Sequence, residues 1–150
     1  MKRKVLFLCT GNSCRSQMAE ALVNAHLGAE WEAFSAGTKP AGYVHPKALA
    51  ALTEIGIEHQ GVSKLADEYH DMHFDLVVTV CDDAAANCPV WLGQGVRVHR
   101  GFPDPAKAQG DDEAVMNIFR QVRDAISVEI LDLLKQDQFE DEIRRTFRLA

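Results

Sequence analysis

Val5-Leu6-Phe7-Leu8-Cys9-Thr10-Gly11-Asn12-Ser13-Cys14-Arg15-Ser16 is the stretch on which the reading of this chain turns. Its apolar run is short and lacks polar alternation, as suits a strand buried on both faces, so Cys9 falls at the strand's carboxyl end. Beyond Ser16, Ala19, Leu22, Val23 and His26 recur at helical spacing, which predicts strand, tight loop, helix. Gly11 and its small polar neighbours let the loop close with N–H groups turned inward, ahead of a helix N-terminus. Such a cradle binds oxyanions. Arg15 can return over the same cavity and offer a fork of donors to two oxygens of a tetrahedral anion. The same positive field favours a thiolate, so Cys9 is expected to be a nucleophile beneath the bound anion. Thr10, Gly11, Asn12, Ser13, Cys14, Arg15 and Ser16 are the candidate oxyanion-binding residues. Cys14 reads otherwise as a small packed thiol.

Working outward, 150 residues with 47% hydrophobic content suit one globular domain with a real core. A net charge of −6 argues against general nucleic-acid or anionic-membrane binding. Lys2, Arg3 and Lys4 precede too few apolar residues for a signal peptide, and no later run is long enough to span a bilayer. A cytoplasmic monomer is expected. Four cysteines in such a chain point to catalysis, redox chemistry or metal binding rather than structural disulfides. Cys9 with Cys14, and Cys81 with Cys88, are spaced too widely for the usual structural zinc pairs.

Residues 31–36 predict a second strand ending at Gly37, and residues 38–45 a loop. A helix is expected from Pro46 through Ile55, with Gly56 as its stop. His45, His59, His70 and His73 have no visible metal-binding partner, so they read as solvent-facing or capping. Residues 74–80 predict a strand that delivers a second cysteine, Cys81, to a strand end. In open parallel α/β sheets, ligands bind beyond the carboxyl ends of strands, so Cys9 and Cys81 could be neighbours. Residues 82–86 suggest a short, weakly anchored helix ending near Cys88 and Pro89. Residues 96–99 are the last candidate strand, and the prolines at 103 and 105 display Asp104 at fixed geometry. A long amphipathic helix carries the stripe Val115, Ile118, Phe119, Val122, Ile126, Ile130 and Leu133. Residues 136–150 read as a charged helical or frayed tail, with Arg144, Arg145 and Arg148 on a solvated face.

The chain resembles the low-molecular-weight tyrosine phosphatase-like family, and more closely its thioredoxin-coupled arsenate reductase branch. The resemblance rests on the segment from Cys9 to Glu20, Ser35-Ala36-Gly37, the segment from Asp75 to Cys81, Cys88-Pro89, and the segment from Gly101 to Ala106. It implies an α/β fold: a single three-layer domain with a four-stranded parallel sheet flanked by helices. It also implies reduction of arsenate to arsenite, with Cys9, Arg15, Cys81, Cys88 and Asp104 as catalytic residues. Cys9 would attack arsenic while Arg15 and the loop amides balance charge and Asp104 protonates the departing oxygen. Cys81 would then attack Cys9, and Cys88 would attack Cys81 to leave a disulfide that thioredoxin reduces. No cofactor is expected beyond that external thiol reductant.

Some relatives hold a structural potassium through residues matching Asn12, Glu20 and Ser35, with two further ligands in a later loop. Here those later positions align with Val62 and Lys64, so the site would be weak at best, and the Lys64 ammonium could take the cation's place. The competing reading is a phosphatase acting on phosphotyrosine or small phosphomonoesters. The family's phosphatases place tyrosines after Asp-Pro; here Ala106 and Lys107 follow, and neither Tyr43 nor Tyr69 has that placement. A third reading, a binding or redox-sensing module without turnover, uses the same residues.

Overall fold

The computed structural model describes residues 2–81 and 95–149. Four strands, β1 (Arg3–Cys9), β2 (Trp31–Gly37), β3 (Leu76–Cys81) and β4 (Val96–Phe102), form one parallel sheet in the order β2-β1-β3-β4. Helices α1 (Arg15–His26), α2 (Pro46–Thr53) and α3 (Asp112–Leu149) complete the main elements, with short 3-10 helices at Ala66–Tyr69 and Pro105–Lys107. The chain leaves β1 toward β2 on one side and leaves β3 toward β4 on the other. That reversal makes the carboxyl ends of β1 and β3 the crevice where parallel sheets bind ligands.

Strand alternation explains the two-sided core. Val5, Phe7, Leu76, Val78 and Val80 face the helices, where they meet Met18 and Leu22 of α1, Leu52 of α2 and Phe119, Ile126 and Ile130 of α3. Leu6, Leu8, Ala36 and Val77 face the other way, against Ala66 and Phe74, with Phe34, Tyr69 and Met72 packed around them. There Phe34, Tyr69 and Phe74 form a mutual edge-to-face cluster with ring centroids 5.7–6.0 Å apart.

Of the stripe on α3, Phe119, Val122, Ile126 and Ile130 are buried, Val115, Ile118 and Leu133 are partly buried against the core, and Leu134 is a further buried member. Asp111 caps α3, accepting from Ala114 N–H at 2.8 Å. The helical backbone runs unbroken into the charged tail as far as Leu149, and at Arg144, Arg145 and Arg148 only that backbone is described. Arg3 ties the tail's beginning to the sheet: its Nη1 lies 2.6 Å from Asp137 Oδ2 and its guanidinium sits 4.6 Å from the Trp31 ring centroid.

Several boundaries differ from the sequence expectation, and β3 starts at Leu76 rather than at residue 74. Helix α2 ends at Thr53 and the chain turns through Gly56, whose φ of +82° suits a glycine stop one turn later. Strand β4 continues past His99 to Phe102 with a register shift against β3, between Thr79 and Cys81. The extra residue in β4 is a bulge that re-aims the chain. It brings the Phe102 carbonyl toward the loop after β1. The expected helix at 82–86, and Cys88 with it, lie outside the described residues. Among the described residues, no helix is long and apolar enough to cross a membrane.

Candidate active site

The loop from Thr10 to Cys14 is held open by its own carbonyls. Those of Thr10, Gly11 and Ser13 accept from the backbone N–H groups of Lys39, Ala41 and His45 at 2.8–3.0 Å. With those carbonyls committed to the segment after β2, the Asn12 N–H turns to Cys9 Sγ. The residue that makes the turn is different. Asn12, not Gly11, occupies the left-handed region, with φ of +47°, a conformation that asparagine tolerates better than most side chains. The glycine that the loop cannot do without is Gly37, at the end of β2, where an added Cβ would lie 2.3 Å from the Thr10 carbonyl oxygen.

A directed chain of hydrogen bonds ends on Cys9. Lys64 N–H donates to Asn12 Oδ1 at 2.8 Å, and a backbone amide can only donate, so the Asn12 orientation is fixed. Asn12 Nδ2 therefore donates to Ser16 Oγ at 2.8 Å, and the Ser16 hydroxyl is hydrogen-bonded in turn to Cys9 Sγ, 2.9 Å away. Asn12 N–H donates to the same sulfur at 3.2 Å.

Arg15 is buried at the start of α1, and its Nη1 donates to the Phe102 carbonyl at 3.1 Å. Its Nη2 lies 3.7 Å from Asp104 Oδ2, while Asp104 Oδ1 accepts from Ala106 N–H at 3.0 Å and caps the short helix that follows. Cys14 precedes α1 without a side-chain cap of its own. Burial first, then Asp104, push its thiol up to about 12, so it stays protonated and inert, as expected of a packed thiol. Together Cys9, Arg15 and Asp104, with Tyr43 and His45, line a cavity of about 190 Å³.

Cys81 is placed where the β3 reading put it, at the end of the strand that pairs directly with β1. Leu8 pairs with Thr79, so Cys81 lies one residue beyond the level of Cys9. Alternation gives Cys81 the face of Val77 and Cys9 the face of Phe7, on opposite sides of the sheet. Attack of one sulfur on the other thus requires the chain after Val80 to turn, where the register against β4 already shifts. Cys81 is disulfide-bonded, whereas Cys9 and Cys14 are free thiols.

Behind the loop, Ser35 and Glu20 meet directly, and Lys64 links them to Asn12. Ser35 Oγ donates to Glu20 Oε1 at 3.1 Å, but the Lys64 ammonium stands 3.8 Å from the same oxygen and donates to the Val62 carbonyl at 2.6 Å. Asn12 Oδ1 is already taken by Lys64 N–H and by Gln17 Nε2. A potassium ion there would meet an ammonium and a spent oxygen, so the donor set does not fit one. His59 is not solvent-facing or capping as expected. Its Nε2 lies 2.8 Å from Gln17 Oε1 and 3.5 Å from Glu20 Oε2. Burial, then Lys64, lower its pKa and keep the ring neutral, so the Glu20 contact is not an ion pair.

Burial also lifts the Glu20 carboxyl above its ordinary range, against the pull of Lys64 and Ser35. A carboxyl raised in this way binds more protons folded than unfolded. Stability therefore falls as pH rises between its unfolded and folded values. Replacing Lys64 with Met removes the opposing charge and extends that interval upward. The variant is expected to lose about 1–2 kcal/mol near pH 8 and much less near pH 5, allowing for partial solvent screening. Denaturant melts at the two pH values measure it; an equal loss at both would refute the Glu20 linkage.

Three participants escaped the sequence reading. Gln17 donates from Nε2 to Asn12 O, Asn12 Oδ1 and Val62 O, clamping two loops; its place inside the Cys9–Glu20 motif was the available signal. Tyr43 and His45 reach the cavity from the segment after β2, which nothing in their spacing announced. Tyr43 supplies an aromatic wall from a different loop than the one after Asp104. His45 fulfils its capping role, accepting from Lys47 N–H at the start of α2.

Comparison with known proteins follows the same lines. An arsenate reductase of Halalkalibacterium halodurans is 48% identical over 130 residues, 86% of this chain and 93% of that one. Among solved structures, an arsenate reductase in the phosphate-binding state superposes with TM-score 0.75 at 28% identity, covering 89% of this chain and 98% of that one. A thioredoxin-dependent arsenate reductase of Corynebacterium glutamicum gives TM-score 0.63 at 27% identity, over 93% of this chain and 63% of that one. The sequence profile of low molecular weight phosphotyrosine protein phosphatase matches residues 4–145. That match spans nearly the whole chain, and the chain belongs to the low molecular weight phosphotyrosine protein phosphatase family.

Proposed function

We propose that this protein reduces arsenate to arsenite through Cys9, Cys81 and Cys88, with thioredoxin restoring the thiols. The observation that carries the reading is a second cysteine at the end of the neighbouring strand, which phosphate-ester hydrolysis has no use for. The Cys9 thiolate forms a sulfur–arsenic bond as an oxygen leaves as water, protonated by Asp104, while Arg15 and the loop amides hold the remaining oxygens. The Cys81 thiolate then attacks Cys9 Sγ. A sulfur–sulfur bond forms, the sulfur–arsenic pair returns to arsenic, and As(V) leaves as As(III). Attack by Cys88 on Cys81 releases Cys9, and the dithiol of thioredoxin supplies the two electrons that close the cycle. The relatives named as arsenate reductases, and the thioredoxin-dependent neighbour, support this reading. In it the protein needs no resident metal.

The test uses fully reduced protein without external reductant. After arsenate is added, about one arsenite should form per chain with about two thiols lost, and the disulfide should map to Cys81 and Cys88. No arsenite, beside brisk hydrolysis of an aryl phosphate, would favour a phosphatase. The Tyr43 wall favours some activity of that kind as a second capability, since an aromatic ring can pack against it.

Asp104→Asn is expected to slow formation of the first arsenite about 100-fold while leaving phosphate binding intact, because only the proton for the departing oxygen is lost. Rapid-quench counting of arsenite checks this. An unchanged rate would remove Asp104 from the acid role.

A further inference from the structure

His45 stands at the cavity with its ring fixed in three ways. Its backbone N–H donates to the Ser13 carbonyl at 3.0 Å, so the residue moves with the loop. Its Nδ1 accepts from Lys47 N–H at 3.1 Å. Its ring packs at 39° on Phe119, centroids 4.8 Å apart, and Phe119 is fully buried.

The tautomer follows from the donor. A backbone amide cannot accept, so Nδ1 carries the lone pair and the ring proton of the neutral form sits on Nε2. Burial, then Lys47, hold the ring's pKa down against the opposing pull of Asp104, so the neutral form is the working one. Among the described residues no protein acceptor receives that Nε2 proton, and the ring lines the same cavity as Cys9, Arg15 and Asp104. An anion seated on the loop amides points at least one oxygen away from them, into the cavity that His45 lines.

We propose that His45 Nε2–H is a binding donor of the oxyanion site, hydrogen-bonded to the outward oxygen of the tetrahedral anion held by the Cys9 loop. This deepens the oxyanion reading above and rests on it only for the location of the anion. A neutral donor suits the place. It orients the outward oxygen without adding a positive charge that would compete with Arg15 for Asp104. It also favours an anion whose outward oxygen is unprotonated.

His45→Asn separates the two roles of the ring. Asparagine can still accept from Lys47 N–H at the head of α2 but is too short to present a donor at the position of Nε2. The variant should melt within a degree or two of the parent and bind inorganic phosphate about five- to tenfold more weakly, the loss of one neutral hydrogen bond. The readout is phosphate protection of Cys9 from iodoacetamide. In the unmodified reduced protein, a long-range proton–nitrogen spectrum should show the His45 proton on Nε2, and phosphate should shift that resonance.

Phosphate affinity within twofold of the parent, a proton on Nδ1, a resonance unmoved by saturating phosphate, or absence of phosphate protection in the parent would each overturn the proposal. Its failure differs from that of the reductase reading. A parent that makes no arsenite, with phosphate weakened by His45→Asn, keeps the donor and loses the reductase. Normal arsenite formation with unchanged phosphate affinity in the variant does the reverse.

Discussion

Cys88→Ser protein, fully reduced and given excess arsenate together with thioredoxin, is expected to release about one arsenite per chain and then stop, holding a Cys9–Cys81 disulfide. In the proposed relay the first half does not need Cys88, since the two electrons would come from Cys9 and Cys81, and the second half does. Both Cys9 and Cys81 are almost wholly buried, at 2% and 3% exposure. An external thiolate must approach a disulfide close to the line of its two sulfurs, and the burial of both residues opposes that approach. An internal third thiol can make the exchange and carry the oxidised pair elsewhere. Cys81→Ser is the companion variant: it should take up arsenate at Cys9 and make no arsenite at all. Arsenite counts, thiol titration and peptide mapping distinguish the two. Continued turnover of Cys88→Ser would sink the relay, leaving Cys88 as packing.

Arg15→Lys should lower the rate of the first chemical step by about 10²–10³-fold, although the formal charge is kept. The guanidinium performs two tasks from one plane. One nitrogen donates to the Phe102 carbonyl while the other faces Asp104 across the cavity. A lysine ammonium is a single point on a flexible stem and cannot hold β4 and the anion together. Phosphate affinity should fall as well, and the pre-steady-state rate more steeply than affinity, because the fork matches the charge that builds as oxygen departs. A loss under threefold in that rate would mean the loop amides suffice.

Much of this arrangement is legible in the residues. The apolar run before Cys9 and the one before Cys81 each state a buried strand, and both end where parallel strands place chemistry. The core stripe of α3 and the cap position of His45 follow from spacing and from Pro46. Legibility stops where the partner is remote in sequence. His59 read as solvent-facing because nothing within helical reach could bind it, yet its partners, Gln17 and Glu20, lie on α1. Gly11 looked like the turn residue because glycine is the usual one, whereas Asn12 takes the left-handed conformation. Its side chain is there held by Lys64, 52 positions away.

What the sequence determined by itself is local: strand, loop and helix around Cys9, the reactive residue types, and their order. Hydrophobic runs and turn chemistry are short-range, so a window of a dozen residues contains their cause. The tertiary structure decided what depends on sheet order and register. It placed β3 beside β1, so that Cys81 stands one residue beyond the level of Cys9 but on the opposite face. It bulged β4 so that Phe102 anchors Arg15, and it set the Lys64 ammonium against Glu20 where a cation was conceivable. Those outcomes come from packing many distant side chains at once, and no single segment carries the information that selects them.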